Sequence, residues 1–175
     1  VVRDPLDRLL SEYKFENRGS RDKLHDAAAA TRWIQYHAGH VARRRREDSA
    51  LSTRFPNRCH FLPQSWFLWD ASGKCTCRYV LRFERLEEDF DGLMRSQNLP
   101  MRLHHAQNMI SHHLPSNLTR AAVADAATIE AVREAYYDDV ALLPAVNGTC
   151  RDLVDYSSSY DLTDRPRVCR GGKLE

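Results

Sequence analysis

VVRDPLDRLLSEYKF, residues 1–15, is the stretch that decides the fold of this chain. Val1 and Val2 are β-branched and apolar, which suits the end of a buried strand. Asp4 is a favourable N-cap residue, and Pro5 suits the first position of a helix. Four apolar residues then follow at helical spacing: Leu6, Leu9, Leu10 and Tyr13. The stretch therefore predicts a strand, a sharp turn and an amphipathic helix.

Two polar residues of this stretch fall where α/β proteins bind ligands. Arg3 lies at the carboxyl edge of the predicted strand, and Ser11 lies two helical turns further on, off the apolar stripe. An arginine fork and a serine hydroxyl are suitable ligands for a phosphate group. The residues therefore predict an anion site. The ordinary alternative is a strand-turn-helix unit in which Arg3 pairs with a carboxylate.

The pattern Arg3-Asp4-Pro5-x-x-Arg8-Leu9-x-Ser11-x-Tyr13 resembles the 3′-phosphate-binding motif of Golgi-type carbohydrate sulfotransferases. Those enzymes use 3′-phosphoadenosine-5′-phosphosulfate (PAPS) and need no metal. The resemblance implies an α/β fold, the P-loop NTPase-like sulfotransferase fold, in which Arg3 and Ser11 contact the 3′-phosphate. It also implies sulfuryl transfer to a hydroxyl of a glycan or proteoglycan, in a single-pass type II membrane protein of the Golgi lumen.

Three later pieces resemble the same family. The loop Cys59–Gln64 contains a His-x-x-Pro-Gln element, and its His60 is the best candidate for the base that activates the acceptor hydroxyl. A lone histidine in a loop is more commonly a surface residue. In Tyr79–Phe90 a strand leads into an acidic helix, and Glu84 is expected to be a structural carboxylate. Residues 132–142 resemble the last helix of the family, with Val140 where phenylalanine is common.

One part of the family pattern has no counterpart in residues 1–175, namely the Gly/Ser/Thr-rich turn with a lysine that holds the 5′-phosphosulfate. The expectation is therefore an N-terminally truncated C-terminal fragment that lacks an upstream loop and any membrane anchor. Such a fragment should bind PAPS weakly and should not turn over. Residues 1–146 are predicted to be a partial sulfotransferase domain, and residues 147–175 a polar, poorly ordered tail.

Bulk properties narrow the classes of function. The 175 residues suffice for one domain with a core, and the net charge of +2 does not suggest a nucleic-acid partner. No apolar run is long enough to span a membrane. The run Arg43–Arg46 is either a solvated face or loop, or a positive edge for an anionic glycan or the cofactor.

Metal sites are the rival interpretation of the cysteines and histidines. Cys59, His60, Cys75 and Cys77 could ligate zinc, and the pairs at 104–105 and 112–113 could form a second metal site. However, the spacing of Cys75 and Cys77 is not that of a zinc knuckle. Two sequons, at Asn117 and Asn147, mildly favour a secretory compartment, where disulfides are expected. The pairing of the five cysteines is not readable from the sequence.

Periodicity and turn residues predict the remaining elements. The first helix should run from Pro5 to near Asn17, and a second, starting at about Arg21, should end before Gly39. Strands are expected at 65–69 and 76–83, followed by a helix from Leu86. A last helix is expected at 121–137 behind an N-cap at Thr119.

Two other classes of function are compatible with these observations. The first is a non-catalytic, degenerate member that keeps the fold and binds an anionic glycan or a nucleotide. The second is a kinase-like phosphoryl transferase, which would require a Gly-x-x-x-x-Gly-Lys-Ser/Thr loop and a carboxylate for Mg²⁺. An upstream lysine loop separates the first class from an enzyme, and dependence on a metal separates the second.

Overall fold

The computed structural model describes residues 1–47, 60–68, 76–103, 116–145 and 148–149. Its helices are α1 (Pro5–Glu16), α2 (Ala27–Glu47), α3 (Leu86–Ser96), α4 (Arg120–Val123), α5 (Ala126–Ala135) and α6 (Tyr137–Ala145). Its strands are β1 (Tyr79–Val80) and β2 (Gly148–Thr149), and 3-10 turns occupy Lys23–His25, Gln64–Phe67 and Phe83–Arg85. The described part is mixed, with much helix and little sheet.

The strand-turn-helix prediction for the first residues is confirmed at its helix. Asp4 caps α1, because its Oδ1 accepts hydrogen bonds from the amides of Leu6 at 2.9 Å and Asp7 at 3.1 Å. The predicted apolar stripe is buried, with Leu9 1% and Tyr13 2% exposed. The preceding strand is reduced to a single parallel bridge. The cap at Asp4 fixes where α1 begins, and burial of the apolar stripe fixes which face of the helix packs into the core.

β1 and β2 form a two-stranded sheet in the described residues, and Val2 lies beside it. Val2 makes an isolated parallel bridge with Arg82, while β1 pairs antiparallel with β2 in the register Tyr79 to Thr149. The predicted strand 76–83 is thus confirmed only at Tyr79–Val80, because the chain turns into a 3-10 helix at Phe83. Gly148 and Thr149 pair with this strand although the polar tail was expected from 147. Residues 150–175 lie outside the described residues.

The predicted strand at 65–69 is wrong in its described part. Residues Gln64–Phe67 form a 3-10 turn, and residue 69 lies outside the described residues. The turn begins directly after Pro63, and the carboxylate of Asp139 accepts hydrogen bonds from the first two amides of the turn, those of Gln64 and Ser65. Amides aimed at one carboxylate are arranged as at a helix start, so this contact with α6 overrides the strand propensity of the aromatic residues.

The expected end of the second helix before Gly39 is also wrong. α2 continues through Gly39 to Glu47, and Val41 is 0% and Ala42 3% exposed beyond the glycine. Burial of these residues against the core stabilises the helix beyond the glycine more than the glycine weakens it. Residues 43–46 therefore lie in a helix rather than a loop, and Arg43 is exposed.

The predicted last helix is three helices. Thr119 caps α4 as expected, through a hydrogen bond from the Ala122 amide, but the helix ends at Val123. Asp125 then caps α5, since its Oδ1 accepts from the Thr128 amide at 2.7 Å. Asp125 is thus a second N-cap inside the predicted helix and starts a new helix. The alanine-rich residues around it favour a continuous helix, so the sequence pattern did not indicate this break.

Two apolar clusters hold these elements together. The larger cluster joins α1, α2 and α5 and includes Leu9, Ile34, Phe61, Val132 and Tyr136. The smaller cluster contains Val2, Leu68, Val80 and Leu142, and it lies where the sheet meets α6. Tyr136 is fully buried and donates a hydrogen bond to the carbonyl of Phe61 at 2.9 Å. None of the helices in the described ranges combines the length and apolarity required to cross a bilayer.

Candidate functional site

The backbone of residues 2–4 is held along one edge by the segment that follows β1. The Val2 amide donates to the carbonyl of Leu81 at 2.8 Å, and the Phe83 amide donates to the carbonyl of Val2 at 2.7 Å. The Asp4 amide donates to Oε1 of Glu84 at 2.9 Å. Glu84 therefore has the structural role expected of it, as the acceptor for a backbone amide where the strand turns into α1.

Gln64 holds the opposite edge of the same segment. The Arg3 amide donates to Oε1 of Gln64 at 2.9 Å, and Nε2 of Gln64 donates to the Arg3 carbonyl at 2.7 Å. Successive residues of an extended chain direct their amides and carbonyls to opposite sides. One side-chain amide thus satisfies both polar groups of Arg3 that face away from Leu81 and Phe83.

Asp139 fixes the position of Gln64 in turn. Its two carboxylate oxygens accept from the amides of Gln64 and Ser65, each at 2.8 Å. Asp139 is only 1% exposed, and Ser65 is 2% exposed. A buried carboxylate is stable only when its charge is hydrogen-bonded, so this contact holds the turn firmly against α6.

The Arg3 side chain lies over an aromatic ring. Its guanidinium carbon is 4.3 Å from the centroid of the Phe83 ring. Nε of Arg3 is buried and has no hydrogen-bond partner among the described residues. Within the described ranges, no carboxylate forms an ion pair with Arg3, so the pairing expected for an ordinary strand-turn-helix unit is not observed there.

The N-terminus of α1 is already engaged by protein groups. The side chain of Asp4 accepts from the amides of Leu6 and Asp7, so these amides do not point at a ligand. Arg120 forms ion pairs with both Asp4 and Asp7 and offsets part of their negative charge. An anion at this end of α1 would therefore contact side chains rather than these two amides.

Ser11 and Lys14 lie on the same face of α1 as Asp7, because the spacing is i, i+4 and i+7. Ser11 is exposed, and Lys14 is half-buried. Burial lowers the pKa of Lys14, the positive charge of Arg3 lowers it further, and Asp7 opposes the shift. Lys14 lies one helical turn beyond Ser11 on this face.

His60 is attached to α1 by a hydrogen bond to Glu12. Nδ1 of His60 and Oε1 of Glu12 are 2.8 Å apart, with the side chains 55% and 20% exposed. An ionised carboxylate only accepts, so in the neutral imidazole Nδ1 would carry the proton and Nε2 would keep a lone pair. This is the arrangement in which a histidine can take a proton from a hydroxyl.

Three aromatic rings pack together beside this pair, two from α2 and one from Phe61. His37 stacks on Phe61 with ring centroids 4.3 Å apart and contacts Trp33 at 4.2 Å. Burial lowers the pKa of His37, and the charge of His40 lowers it further. His37 is therefore a neutral packing residue near neutral pH, whereas His60 is exposed at the surface.

Sequence reasoning overlooked four residues that the structure connects to Arg3, Ser11 and His60. They are Glu12, Lys14, Gln64 and Asp139. Lys14 had a local signal, since it lies three residues after Ser11 on the same helical face, and Gln64 and Asp139 lie in segments that resemble the family. The other contacts join residues that are distant in sequence, and periodicity carries no information about them.

Metal ligation finds no support in the described part, where no three histidine, cysteine or acidic side chains form a group that could hold an ion. Most residues of the two alternative metal sites, including Cys59, Cys75 and the paired histidines, lie outside the described residues. Arg3, Lys14 and Ser11 offer cations and a hydroxyl, which suit a phosphate group.

Comparison with known proteins gives one positive finding. The family model described as "Sulfotransferase family" matches residues 1–144, which contain Arg3, Ser11, His60 and Asp139. No curated protein and no solved structure matches the chain significantly.

Proposed function

Because this chain belongs to the sulfotransferase family, we propose that it transfers a sulfuryl group from PAPS to a hydroxyl of a glycan. The family supports sulfuryl transfer in general and suggests the sulfotransferase fold. The choice of PAPS and of a carbohydrate acceptor rests on the resemblance of residues 3–13, 59–64 and 79–90 to Golgi-type enzymes. In this proposal, Arg3 and Ser11 bind the 3′-phosphate of the cofactor.

The observation that carries the proposal is the state of the Arg3 side chain. It lies over Phe83, and its Nε has no partner in the described part of the chain. A guanidinium that pairs with no carboxylate can instead hold a phosphate group. The exposed hydroxyl of Ser11, one turn before Lys14, would add a hydrogen bond to such an anion.

The chemistry divides between the cofactor and the chain. PAPS, when bound, supplies the activated sulfuryl group and leaves as 3′-phosphoadenosine-5′-phosphate (PAP). Arg3, Ser11 and Lys14 would orient it through the 3′-phosphate. His60, held by Glu12, would remove the proton of the acceptor hydroxyl during in-line attack on sulfur. No residue of this chain is assigned to the 5′-phosphosulfate.

We further propose a setting in the Golgi lumen, with a glycan or proteoglycan as the partner. The resemblance to Golgi-type enzymes supports this, as does the presence of two sequons at Asn117 and Asn147. A non-catalytic member that binds an anionic glycan or nucleotide remains the alternative. A lysine-bearing phosphosulfate loop in the complete protein would distinguish the enzyme from this alternative.

The test of the cofactor site compares PAP with AMP, which lacks the 3′-phosphate, by calorimetry on the complete protein. Arg3→Ala should weaken PAP binding by about 2–3 kcal/mol, since it removes a charged hydrogen-bonding partner, and should leave AMP binding unchanged. Ser11→Ala and Lys14→Gln should produce smaller losses with the same selectivity.

Arg18→Ala is the matched control. Arg18 is an exposed cation just beyond the end of α1, where it stacks on Phe15, and its loss should not alter the preference for PAP. Equal PAP affinity in the wild-type protein and the Arg3→Ala variant would contradict the assignment of Arg3 to the 3′-phosphate.

A further inference from the structure

We infer that Gln64 and Asp139 are positioning residues that hold Arg3 in place for the 3′-phosphate. This inference rests on the proposed function of Arg3 and gives a role to two residues that do not themselves contact the cofactor in that proposal. Gln64 lies in the His-x-x-Pro-Gln loop, 61 residues from Arg3, and Asp139 lies on α6.

The backbone polar groups of Arg3 face away from the segment that follows β1. Val2 and Asp4 are held on one edge by Leu81, Phe83 and Glu84, so Arg3 directs its own amide and carbonyl to the other edge. In a wider sheet a neighbouring strand would bind these groups. Here the carboxamide of Gln64 binds both, at 2.9 and 2.7 Å, and so takes the place of a strand.

Gln64 is itself anchored by Asp139. Asp139, buried to 1% exposure, accepts from the amides of Gln64 and Ser65 and lies 3.4 Å from Nε2 of Gln64. Gln64 thus links two partners. Its backbone amide binds the buried carboxylate of Asp139, and its side chain binds the backbone of Arg3. Without Gln64, the polar groups of Arg3 on this edge would be satisfied by water, and the peptide would be free to rotate.

The backbone of Arg3 also determines where its side chain points. The direction of the Arg3 guanidinium depends on the orientation of its own peptide unit, and small displacements weaken bidentate binding of a phosphate. Gln64 and Asp139 should therefore influence affinity for the 3′-phosphate alone, without altering affinity for the rest of the nucleotide.

The experiment measures PAP and AMP affinities of the complete protein with Gln64→Met, which keeps the side-chain length and removes both bonds to Arg3. PAP affinity should fall about tenfold, the usual magnitude for lost hydrogen bonds, while AMP affinity should not change. The double variant Arg3→Ala/Gln64→Met should bind PAP no more weakly than Arg3→Ala alone. Gln97→Met, at an exposed glutamine that donates to Tyr79, is the control and should have no effect.

The outcomes separate this inference from the proposed function. If Arg3→Ala abolishes the preference for PAP but Gln64→Met keeps it, the positioning role is wrong and the phosphate site stands. If Arg3→Ala keeps the preference, the site itself is wrong, and the inference is overturned with it. If Gln64→Met does not fold, Asp139→Asn decides, since it removes one acceptor from the turn. A selective loss of PAP affinity supports the role, and unchanged selectivity overturns it.

Discussion

Glu12 and His60 show how one contact can change the interpretation of a single residue. From the sequence His60 is a lone loop histidine, whereas in the structure its Nδ1 lies 2.8 Å from a carboxylate of α1. Glu12 follows Ser11 directly in the chain, so the candidate base is attached to the same helix as a candidate phosphate ligand. An exposed contact of this kind contributes little to stability, so its value would lie in orienting the imidazole.

Substitution of His60 tests this role at the residue scale. In the complete protein, His60→Ala should lower kcat for sulfuryl transfer to a glycan by roughly 100- to 10,000-fold, the range for loss of a general base, with PAP affinity unchanged. Glu12→Gln should give an intermediate loss, because the amide still contacts Nδ1 but no longer stabilises an imidazolium. Transfer from radiolabelled PAPS measures both.

His25→Ala is the matched control for this experiment. His25 is an exposed histidine in the first 3-10 turn and should not affect the rate. A wild-type kcat in the His60→Ala variant would show that His60 is a surface residue and that the base lies elsewhere.

At the scale of single elements, α2 shows burial outweighing a local stop signal. Gly39 lies in its interior with an ordinary backbone conformation, and a Cβ built there meets nothing within 4 Å. The helix continues because Ala38, Val41 and Ala42 are buried in the core. The glycine is thus a weak point of the helix rather than a requirement of the fold.

Gly39→Ala should therefore stabilise the protein by about 0.5–1 kcal/mol, because alanine loses less backbone entropy in a helix. Urea unfolding followed by circular dichroism measures the change in free energy of unfolding. Gly92→Ala in α3, whose Cβ would lie 4.0 Å from the Arg95 side chain, should shift stability in the same direction. Destabilisation by Gly39→Ala would contradict the continuous helix.

At the scale of the whole molecule, the family match and the donor groups together favour sulfuryl transfer over phosphoryl transfer. A kinase would need Mg²⁺ to neutralise the charge that develops on its nucleotide. A PAPS-dependent sulfotransferase can rely on arginine, lysine and amide groups instead.

The rate of sulfuryl transfer by the complete protein should therefore be unchanged in excess EDTA. A magnesium-dependent kinase assayed in parallel provides the control and should lose its activity. Loss of transfer in EDTA, with recovery on addition of Mg²⁺, would favour the kinase-like alternative.

Local physics accounts for what the sequence by itself determined. The start of α1, its Asp4 cap, its buried stripe and the spacing of Arg3 and Ser11 all follow from interactions within a few residues. The cap at Thr119 was found in the same way. The family resemblance, carried by the same short stretch, is confirmed at the level of a sulfotransferase family over residues 1–144.

Contacts between distant parts of the chain decided the rest. The turn at Gln64–Phe67 depends on a carboxylate 75 residues further on, and the pairing of His60 with Glu12 spans 48 residues. The continuation of α2 depends on burial against the core. Such contacts arise only when the chain is folded, because the desolvated groups then bind one another instead of water. A local pattern of residues therefore does not indicate which distant residues will be partners.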